Sequence, residues 1–495
     1  MKKLMILLAI VVVAGVVYAA VSFQLGQAFE KNATQEVQSL NLAFSQSLSE
    51  TGNKNLFQIE QTAFQNHIFS SQAQYMVNIG GKEIMKLNAK TRHGPLIGFQ
   101  PMRYSTVYEL EKDANTAKFF QAAGDKSPIK VTVKSDFNDN ADIRTEIPML
   151  RYDNTASFVF YGLDSRMKTD KEKSFIKGKW QSDGLKIFGL GAEFVMDGLN
   201  GTINLNKNND LYVGEHSYSI GKIKIDGGEM AKMMTANPTA SIDSISYTTK
   251  SDKIGGDYQT QMAFSLNNAQ VAGFQFGNLK SNIQIDKLPV DMIQQISQMR
   301  YRQLSKDERE KLLVDILKTN PVAKINLTWE NEGKVAHALL NFEAKMPKKS
   351  FNQSNPQDFF LNASVDIDIP KDMIRNAMSQ SLMIANHSQQ DANNQVETWL
   401  NQFVANSNGL VVADSQSYKT KIVLNNNELI VNGVEQNLND LGKTLPETET
   451  LPETLPETPS APDETPSSPE TQTLPETQTL PEKPKNSNNP LENLL

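Results

Sequence analysis

The chain has no cysteine among its 495 residues. This absence excludes disulfides, thiolate nucleophiles, iron–sulfur clusters and zinc sites built on thiolates. The sequence also lacks a basic excess, since its formal net charge is -7. The tail from Lys443 to Leu495 carries all of that charge, so the first 442 residues are formally neutral. We therefore expect no nucleic-acid partner, because binding along a phosphate backbone requires clustered positive charge.

Local catalytic and cofactor motifs are missing as well. None of the five histidines has another histidine three or four residues away, so a helical zinc site cannot form locally. The sequence has no Gly-x-Ser-x-Gly elbow, no phosphate loop and no dinucleotide-binding fingerprint. We predict a protein that is not an enzyme and has no cofactor and no metal. The alternative is a hydrolase whose active site is assembled from distant residues.

One segment, Asp136 to Asp142, carries carboxylate and amide oxygens at alternating positions, as a calcium loop does. Ala141 occupies the place of the turn glycine, and Ile147 stands where a bidentate glutamate is required. The segment therefore predicts a polar turn and not a calcium site.

The N-terminus carries the strongest signal in the sequence. Lys2 and Lys3 precede an uninterrupted apolar run from Leu4 to Val21. A helix of this length nearly crosses a hydrocarbon core of about 30 Å, and the flanking lysines predict a cytoplasmic N-terminus. We predict that residues 1–26 are a single-pass anchor in a bacterial inner membrane and that the rest is periplasmic. The alternative is a cleaved signal peptide ending near Ala19, although the apolar run exceeds a typical signal-peptide core.

The body, residues 27–442, is predicted to be β-rich after a juxtamembrane helix over Gln27–Leu48. Alternating apolar and polar residues predict antiparallel strands with one buried face. The predicted strands are Gln72–Ile79, Ile129–Ser135, Thr202–Asn206, Ser241–Thr249, Tyr258–Asn267, Asn278–Ile285, a hairpin of Lys324–Glu330 with Lys334–Lys345, and a last hairpin of Tyr418–Leu424 with Leu429–Val431.

Two helical insertions interrupt these strands. The first spans 288–317, with Pro289 in its first turn and a possible break at Ser305. The second is a long helix over 370–405, opened by Pro370. The predicted fold class is α+β, with a long curved and predominantly antiparallel sheet, one N-terminal transmembrane helix and a disordered C-terminal tail.

The tail, residues 443–495, repeats Leu-Pro-Glu-Thr four times. Frequent prolines remove backbone donors and the acidic excess resists collapse, so this segment is predicted to be extended and disordered. A sortase signal is rejected, because glycine and a following hydrophobic stretch are absent after each threonine. A tether to another envelope protein stays an alternative.

The segment His93-Gly94-Pro95-Leu96 has two interpretations. As a turn, it uses glycine for unusual backbone angles and proline to end a strand, while the histidine forms a nearby hydrogen bond. As a catalytic site, it would make His93 a general base, which needs a nucleophile or acid within reach. The sequence identifies no such partner, and this favours the turn.

These residues also carry a resemblance to a known family. The apolar N-terminal segment, then Phe69-Ser70-Ser71-Gln72 and then His93-Gly94-Pro95-Leu96 resemble the YdgA family of proteobacterial envelope proteins. The likeness extends over residues 1 to about 441 and excludes the tail. It implies inner-membrane association, a periplasmic body, possible homo-oligomers and no established activity. It supplies no catalytic residues, so Phe69 to Gln72 and His93 to Pro95 are family landmarks of unknown role.

We therefore expect a membrane-anchored periplasmic protein of the bacterial envelope that binds a lipid or another envelope component along its sheet. An apolar face left open would favour this function, and a face fully covered by the two helical insertions would oppose it. A homo-oligomeric structural or scaffold module is the second hypothesis. The third is the hydrolase with a dispersed active site.

Overall fold

The computed structural model describes residues 37, 38, 41, 57–154, 156–208, 211–232, 237–293, 306–347, 356–385, 387–425 and 428–436. The chain divides into two units, Met1–Thr444 and Leu445–Leu495, and every described residue belongs to the first. The predicted anchor and the repeat tail lie outside the described residues. Of the predicted juxtamembrane helix, residues 37, 38 and 41 are described, and all three are helical. Within the described ranges, no helix is long and apolar enough to cross a membrane.

Strands dominate the described residues. They are Phe57–Asn66 (β1), Ser70–Ile79 (β2), Lys82–His93 (β3), Leu96–Ile97 (β4), Gln100–Pro101 (β5), Tyr104–Leu110 (β6), Lys130–Ser135 (β7), Ala141–Ile147 (β8), Leu150–Asp153 (β9), Ala156–Phe160 (β10), Leu163–Thr169 (β11), Phe175–Gly189 (β12), Ala192–Asn208 (β13), Leu211–Ile220 (β14), Lys222–Asp226 (β15), Thr239–Ile242 (β16), Ser244–Ile254 (β17), Asp257–Val271 (β18), Phe274–Pro289 (β19), Val322–Asn331 (β20), Lys334–Ala344 (β21), Phe360–Pro370 (β22), Val412–Ala413 (β23), Ser417–Asn425 (β24), Glu428–Val431 (β25) and Val434–Gln436 (β26).

Helices are few and short by comparison. The α-helices within the described ranges are Ala117–Ala122 (α1), Gly228–Lys232 (α2), Lys306–Leu317 (α3), Lys371–Ile384 (α4) and Gln389–Asn406 (α5), and Pro356–Phe359 forms a 3₁₀ turn. Residues 290–293 are also helical. The predominance of antiparallel β structure that the sequence predicts is therefore confirmed.

The strands form one antiparallel meander, in which strands close in the chain pair with each other. The path runs β1-β2-β3-β6-β7-β8-β11-β12-β13-β14-β17-β18-β19-β20-β21-β22-β24-β25-β26. Strands β9 and β10 attach to β12, and β15 and β16 bridge β13 to β18. Short turns such as Glu332-Gly333, with φ of 51° and 73°, reverse the chain in the way that two-residue hairpins require.

The predicted strands lie within observed strands to within one residue at each end, and both predicted hairpins are present as β20–β21 and β24–β25. One predicted strand, Ser241–Thr249, is divided between β16 and β17 at Asp243. Observed strands are longer than predicted, and β13 extends over 17 residues where five were predicted. Length is underestimated because glycines and polar residues within a strand hide its alternation.

One of the two helical predictions needs correction. The prediction of a single helix over 370–405 is wrong, since α4 ends at Ile384 and α5 begins at Gln389 after the N-cap Ser388. The start of the first insertion is confirmed to within two residues. Pro289 is the last residue of β19 and pairs with Asp257, and residues 290–293, which follow it directly, are helical. The end of that insertion, at Leu317, is confirmed by α3.

Two buried clusters lie near opposite edges of the meander. Ala73, Tyr75 and Ala89 form the first, and Val37 of the N-terminal helical segment packs against it. Leu424, Leu429 and Val431 form the second, on β24 and β25. The strands between these clusters carry mostly half-buried apolar side chains.

Candidate functional site

The landmark residues come together at one end of the first strands. Phe69 precedes β2, Ser70, Ser71 and Gln72 begin β2, and His93 is the last residue of β3. In the β2–β3 hairpin Ser71 lies opposite Thr91, and the backbone N–H of His93 donates to the carbonyl of Phe69 at 2.9 Å. Two motifs that are some twenty residues apart in the sequence therefore form one structural unit.

His93 and Ser71 form the centre of this unit. His93 Nε2 lies 3.1 Å from Ser71 Oγ, and the two residues are 2% and 1% exposed. A second buried pair lies beside them, in which Thr91 Oγ1 and Thr106 Oγ1 are 2.9 Å apart. These contacts satisfy hydroxyl groups that would be costly to bury alone.

Gly94 allows the chain to leave β3 at this point. A Cβ atom at Gly94 would lie 1.7 Å from the carbonyl oxygen of Met102, so no other residue fits. The Gly94 N–H donates to the Arg103 carbonyl at 2.7 Å, and the Met102 N–H donates to the Pro95 carbonyl at 3.1 Å. The landmark glycine and proline thus start a small hairpin, β4–β5, at the end of the sheet.

The buried serine–histidine pair is poorly placed for catalysis, because both side chains are enclosed and a substrate would need to reach them. The arrangement therefore favours the turn interpretation of His93. Within the described ranges, no group of three histidine, aspartate or glutamate side chains could hold a metal ion.

The segment at Asp136 is a turn between β7 and β8. The Asp136 carboxylate accepts hydrogen bonds from the side chain of Asn140 and from the backbone N–H groups of Asn138 and Asn140, at 2.8 to 2.9 Å. The Asn140 side chain, with these N–H groups, holds the pKa of the Asp136 carboxyl below its usual range. Its oxygens therefore serve the turn, as the polar-turn interpretation predicts.

A feature that the sequence did not reveal begins at the same hydroxyl groups. Residues directly opposite each other on antiparallel strands lie on the same face. From Ser71, Thr91 and Thr106, the register continues the same row across thirteen further pairings. Its positions are Val133, Ile143, Met167, Gly178, Ile203, His216, Thr249, Met262, Ile283, Ile325, Leu340, Val365 and Ile422.

A second row lies on the same face, because its residues are two positions away from the first row on each strand. It includes Trp180, Tyr218, Tyr247, Phe264 and Leu327. We call the first row from Val133 to Ile422, together with the second row beside it, the apolar strip. Tyr218 and Tyr247 stack with ring planes 12° apart, and Trp180 lies over Gly201, where a Cβ atom would lie 2.1 Å from its Nε1.

Directly behind the first row, the opposite face is mostly polar. The row one residue away from the first row is Thr132, Arg144, Arg166, Lys179, Thr202, Ser217, Thr248, Ala263, Asn282, Asn326, Leu339, Asp366 and Lys421. An open trough of about 540 Å³ crosses this face and is lined by residues that include Lys250, Gln261, Gln284, Lys324 and Asn341. The sheet is therefore amphipathic across its width.

Among the described residues, no second layer buries the centre of the apolar strip. Tyr218 is 44% exposed and Leu327 is 38% exposed. Helix α3 contacts β19 and helix α4 contacts β22, yet the first-row side chains between Val133 and Ile422 stay half-buried, apart from the buried Thr249. Half-burial is what neighbouring strands alone provide, so part of the strip's apolar surface is exposed.

The sequence contained signals for both features. Gly80-Gly81 lies midway between Ser71 and Thr91, and a hairpin folded there would have placed the two landmark motifs together. The strip follows from strand alternation only when the register of every hairpin is known. Turns and bulges set that register, so the sequence pattern alone was not sufficient.

Comparison with known proteins identifies one family. The family model described as "Bacterial protein of unknown function (DUF945)" matches residues 1–438. No protein of curated function matches the chain, and no solved structure matches it.

Proposed function

The chain belongs to the bacterial family of unknown function DUF945, and from that premise we propose that it is a membrane-anchored, non-enzymatic protein of the bacterial envelope that binds lipid acyl chains along its apolar strip. The single observation that carries this proposal is the continuity of the strip across successive strands. Acyl chains bind by apolar contact alone, and a long half-buried surface suits a long apolar ligand better than a compact polar one.

The sequence supports the cellular setting of this function. The apolar run Leu4–Val21 after Lys2 and Lys3 is suited to an inner-membrane anchor, with the body in the periplasm. The order of Phe69-Ser70-Ser71-Gln72 and His93-Gly94-Pro95 further supports a protein of the YdgA type. In this setting the landmark residues build a junction between strands, and the ligand-binding surface lies elsewhere on the same face.

A homo-oligomeric scaffold is the second candidate, and the same strip favours it. A second copy that covered the strip would bury the same half-exposed side chains that an acyl chain would cover. The two functions differ in what occupies the strip, so the mass of the purified species distinguishes them. The hydrolase hypothesis has no support of this kind, because His93 and Ser71 are enclosed.

The test compares two leucines with equal exposure on opposite faces. Leu327 on β20 belongs to the apolar strip, Leu339 on β21 faces the polar side, and both are 38% exposed. The full chain and its Leu327→Glu and Leu339→Glu variants are extracted from membranes in mild detergent. Native mass spectrometry and lipid extraction then measure bound phospholipid for each protein.

We expect the unmodified chain and Leu339→Glu to retain phospholipid. Leu327→Glu should retain roughly tenfold less, since losing about 1.4 kcal/mol of binding free energy has that effect. Equal retention by the two variants would contradict binding along the strip. A lipid-free dimer that Leu327→Glu converts to a monomer would instead establish the scaffold.

A further inference from the structure

Four exposed apolar side chains gather at the end of the sheet beside the landmark residues. Ile68 and Phe69 lie in the turn between β1 and β2, while Leu96 and Phe99 belong to the β4–β5 hairpin. Phe99 is 99% exposed at the tip of that hairpin, and the other three are about half exposed. We call these four residues the apolar tip.

The backbone conformation of the β4–β5 turn keeps the Phe99 side chain exposed. Gly98 and Phe99 both adopt positive φ, 56° and 64°, so the two-residue turn projects Phe99 away from the sheet. The hairpin is held to the end of β3 by hydrogen bonds between Gly94 and Arg103 and between Met102 and Pro95. A phenylalanine at positive φ and full exposure gives the isolated protein no stability, since it buries no apolar surface.

The attachment of the N-terminal segment to the first strands relates the tip to the membrane. Asn41 forms two hydrogen bonds with the backbone of Ile59, which lies opposite Val77. Val37 packs against the same strands, at the cluster of Ala73 and Tyr75. The N-terminal segment is therefore held against β1 and β2, and the turn between these two strands carries Ile68 and Phe69 of the tip.

The length of chain before Val37 allows the tip to reach the membrane. Sixteen residues separate Val37 from Val21, the end of the apolar run. The helix that the sequence predicts there would extend about 24 Å at 1.5 Å per residue. Ile68 lies five residues before Ala73 in the chain, which corresponds to about 17 Å at the rise per residue of a β-strand. A linker of this length is therefore long enough for the apolar tip to reach the surface of a bilayer that the apolar run would span.

We propose that the apolar tip inserts into the surface of the lipid bilayer that holds the N-terminal anchor, and thereby fixes the end of the sheet against the membrane. The inference rests on the membrane attachment proposed above. Phe and Leu side chains suit the boundary between headgroups and acyl chains. Arg92, which lies opposite Ser70 and is exposed, is placed to contact anionic headgroups.

The absence of native cysteine makes a direct test possible. The full chain with Phe99→Cys is labelled with an environment-sensitive fluorophore and reconstituted into phosphatidylethanolamine–phosphatidylglycerol vesicles. The vesicles carry lipid-attached nitroxide quenchers at headgroup or acyl depth. The matched control is Leu190→Cys, another exposed apolar residue in a two-residue turn, at the opposite end of the strands. Flotation of the vesicles measures attachment independently.

We expect both proteins to float with the vesicles, and the label at position 99 to show blue-shifted emission and strong quenching, while the label at position 190 shows neither. Flotation with equal, unquenched emission at both positions would overturn the tip proposal and leave the anchor standing. Failure of the full chain to float would overturn the proposed membrane attachment and the tip proposal with it.

Discussion

His93 acts at the scale of a single side chain, by joining two strands through Ser71. His93→Ala would remove a buried ring and leave the Ser71 hydroxyl without that contact. Loss of buried volume and of a hydrogen bond should lower the free energy of unfolding by about 2 to 4 kcal/mol. His67→Ala, at an exposed position, is the control and should have little effect. Chemical denaturation of both variants measures the difference, and a stable His93→Ala protein that loses all activity in cells would restore the catalytic interpretation.

Gly94 has a purely steric role. Gly94→Ala would place a Cβ atom 1.7 Å from the Met102 carbonyl oxygen, so the β4–β5 hairpin must move away from β3. We expect destabilisation by about 3 kcal/mol, at the upper end for overpacking, because the obstacle is backbone. Gly256→Ala is a matched control, since nothing lies within 4 Å of its Cβ position. Thermal unfolding of the two variants checks this prediction, which equal midpoints would refute.

At the scale of elements, Ser388 explains why the predicted long helix is two helices. Its hydroxyl accepts a hydrogen bond from the Asp391 N–H at 3.1 Å and caps α5. Ser388→Ala should lower the free energy of unfolding by about 1 kcal/mol, and Ser388→Asp should restore it, since aspartate caps equally well. Denaturation curves of the three proteins test the prediction. A stability that is unchanged in Ser388→Ala would show that packing alone ends the first helix.

The turn between β7 and β8 should make stability depend on acid pH. The pKa of Asp136 is below its usual range in the folded chain, chiefly through the Asn140 side chain. Its stabilising contribution is therefore complete above the unfolded pKa of about 3.9 and is lost as pH falls through the lower folded pKa. Asp136→Asn should be less stable at neutral pH and lose less on acidification. Thermal midpoints between about pH 6 and pH 3 test this, with Asp183→Asn as an exposed control.

At the scale of the whole molecule, alternation in segments such as Gln72–Ile79 was enough to predict an antiparallel β protein. It was not enough to predict which residues meet across twenty residues or more. Ser71 meets His93 because the β2–β3 hairpin turns at Gly80-Gly81, and the strip exists because every later hairpin keeps the same register. The exposure of Phe99 was not predicted either, since the sequence pattern around an isolated phenylalanine near a proline is equally compatible with a core position.

If the apolar strip binds acyl chains, every second residue along a strand must contact the lipid, and the same pattern must recur on neighbouring strands. Tyr218, Phe264 and Leu327 lie on the strip, and the residue before each, Ser217, Ala263 and Asn326, lies on the polar face. A phospholipid with a photoactivatable acyl chain, added to the full chain in vesicles, should therefore form adducts at 218, 264 and 327 and few at 217, 263 and 326.

Peptide mass spectrometry locates these adducts, and their pattern distinguishes three arrangements. Adducts at all three strip positions require a ligand surface that crosses several strands, because β14, β18 and β20 are separated by β17 and β19. Adducts at one position alone would reduce the strip to a local pocket. Adducts divided equally between the two faces would contradict the proposed function, since an acyl chain has no polar group with which to prefer Asn326 over Leu327.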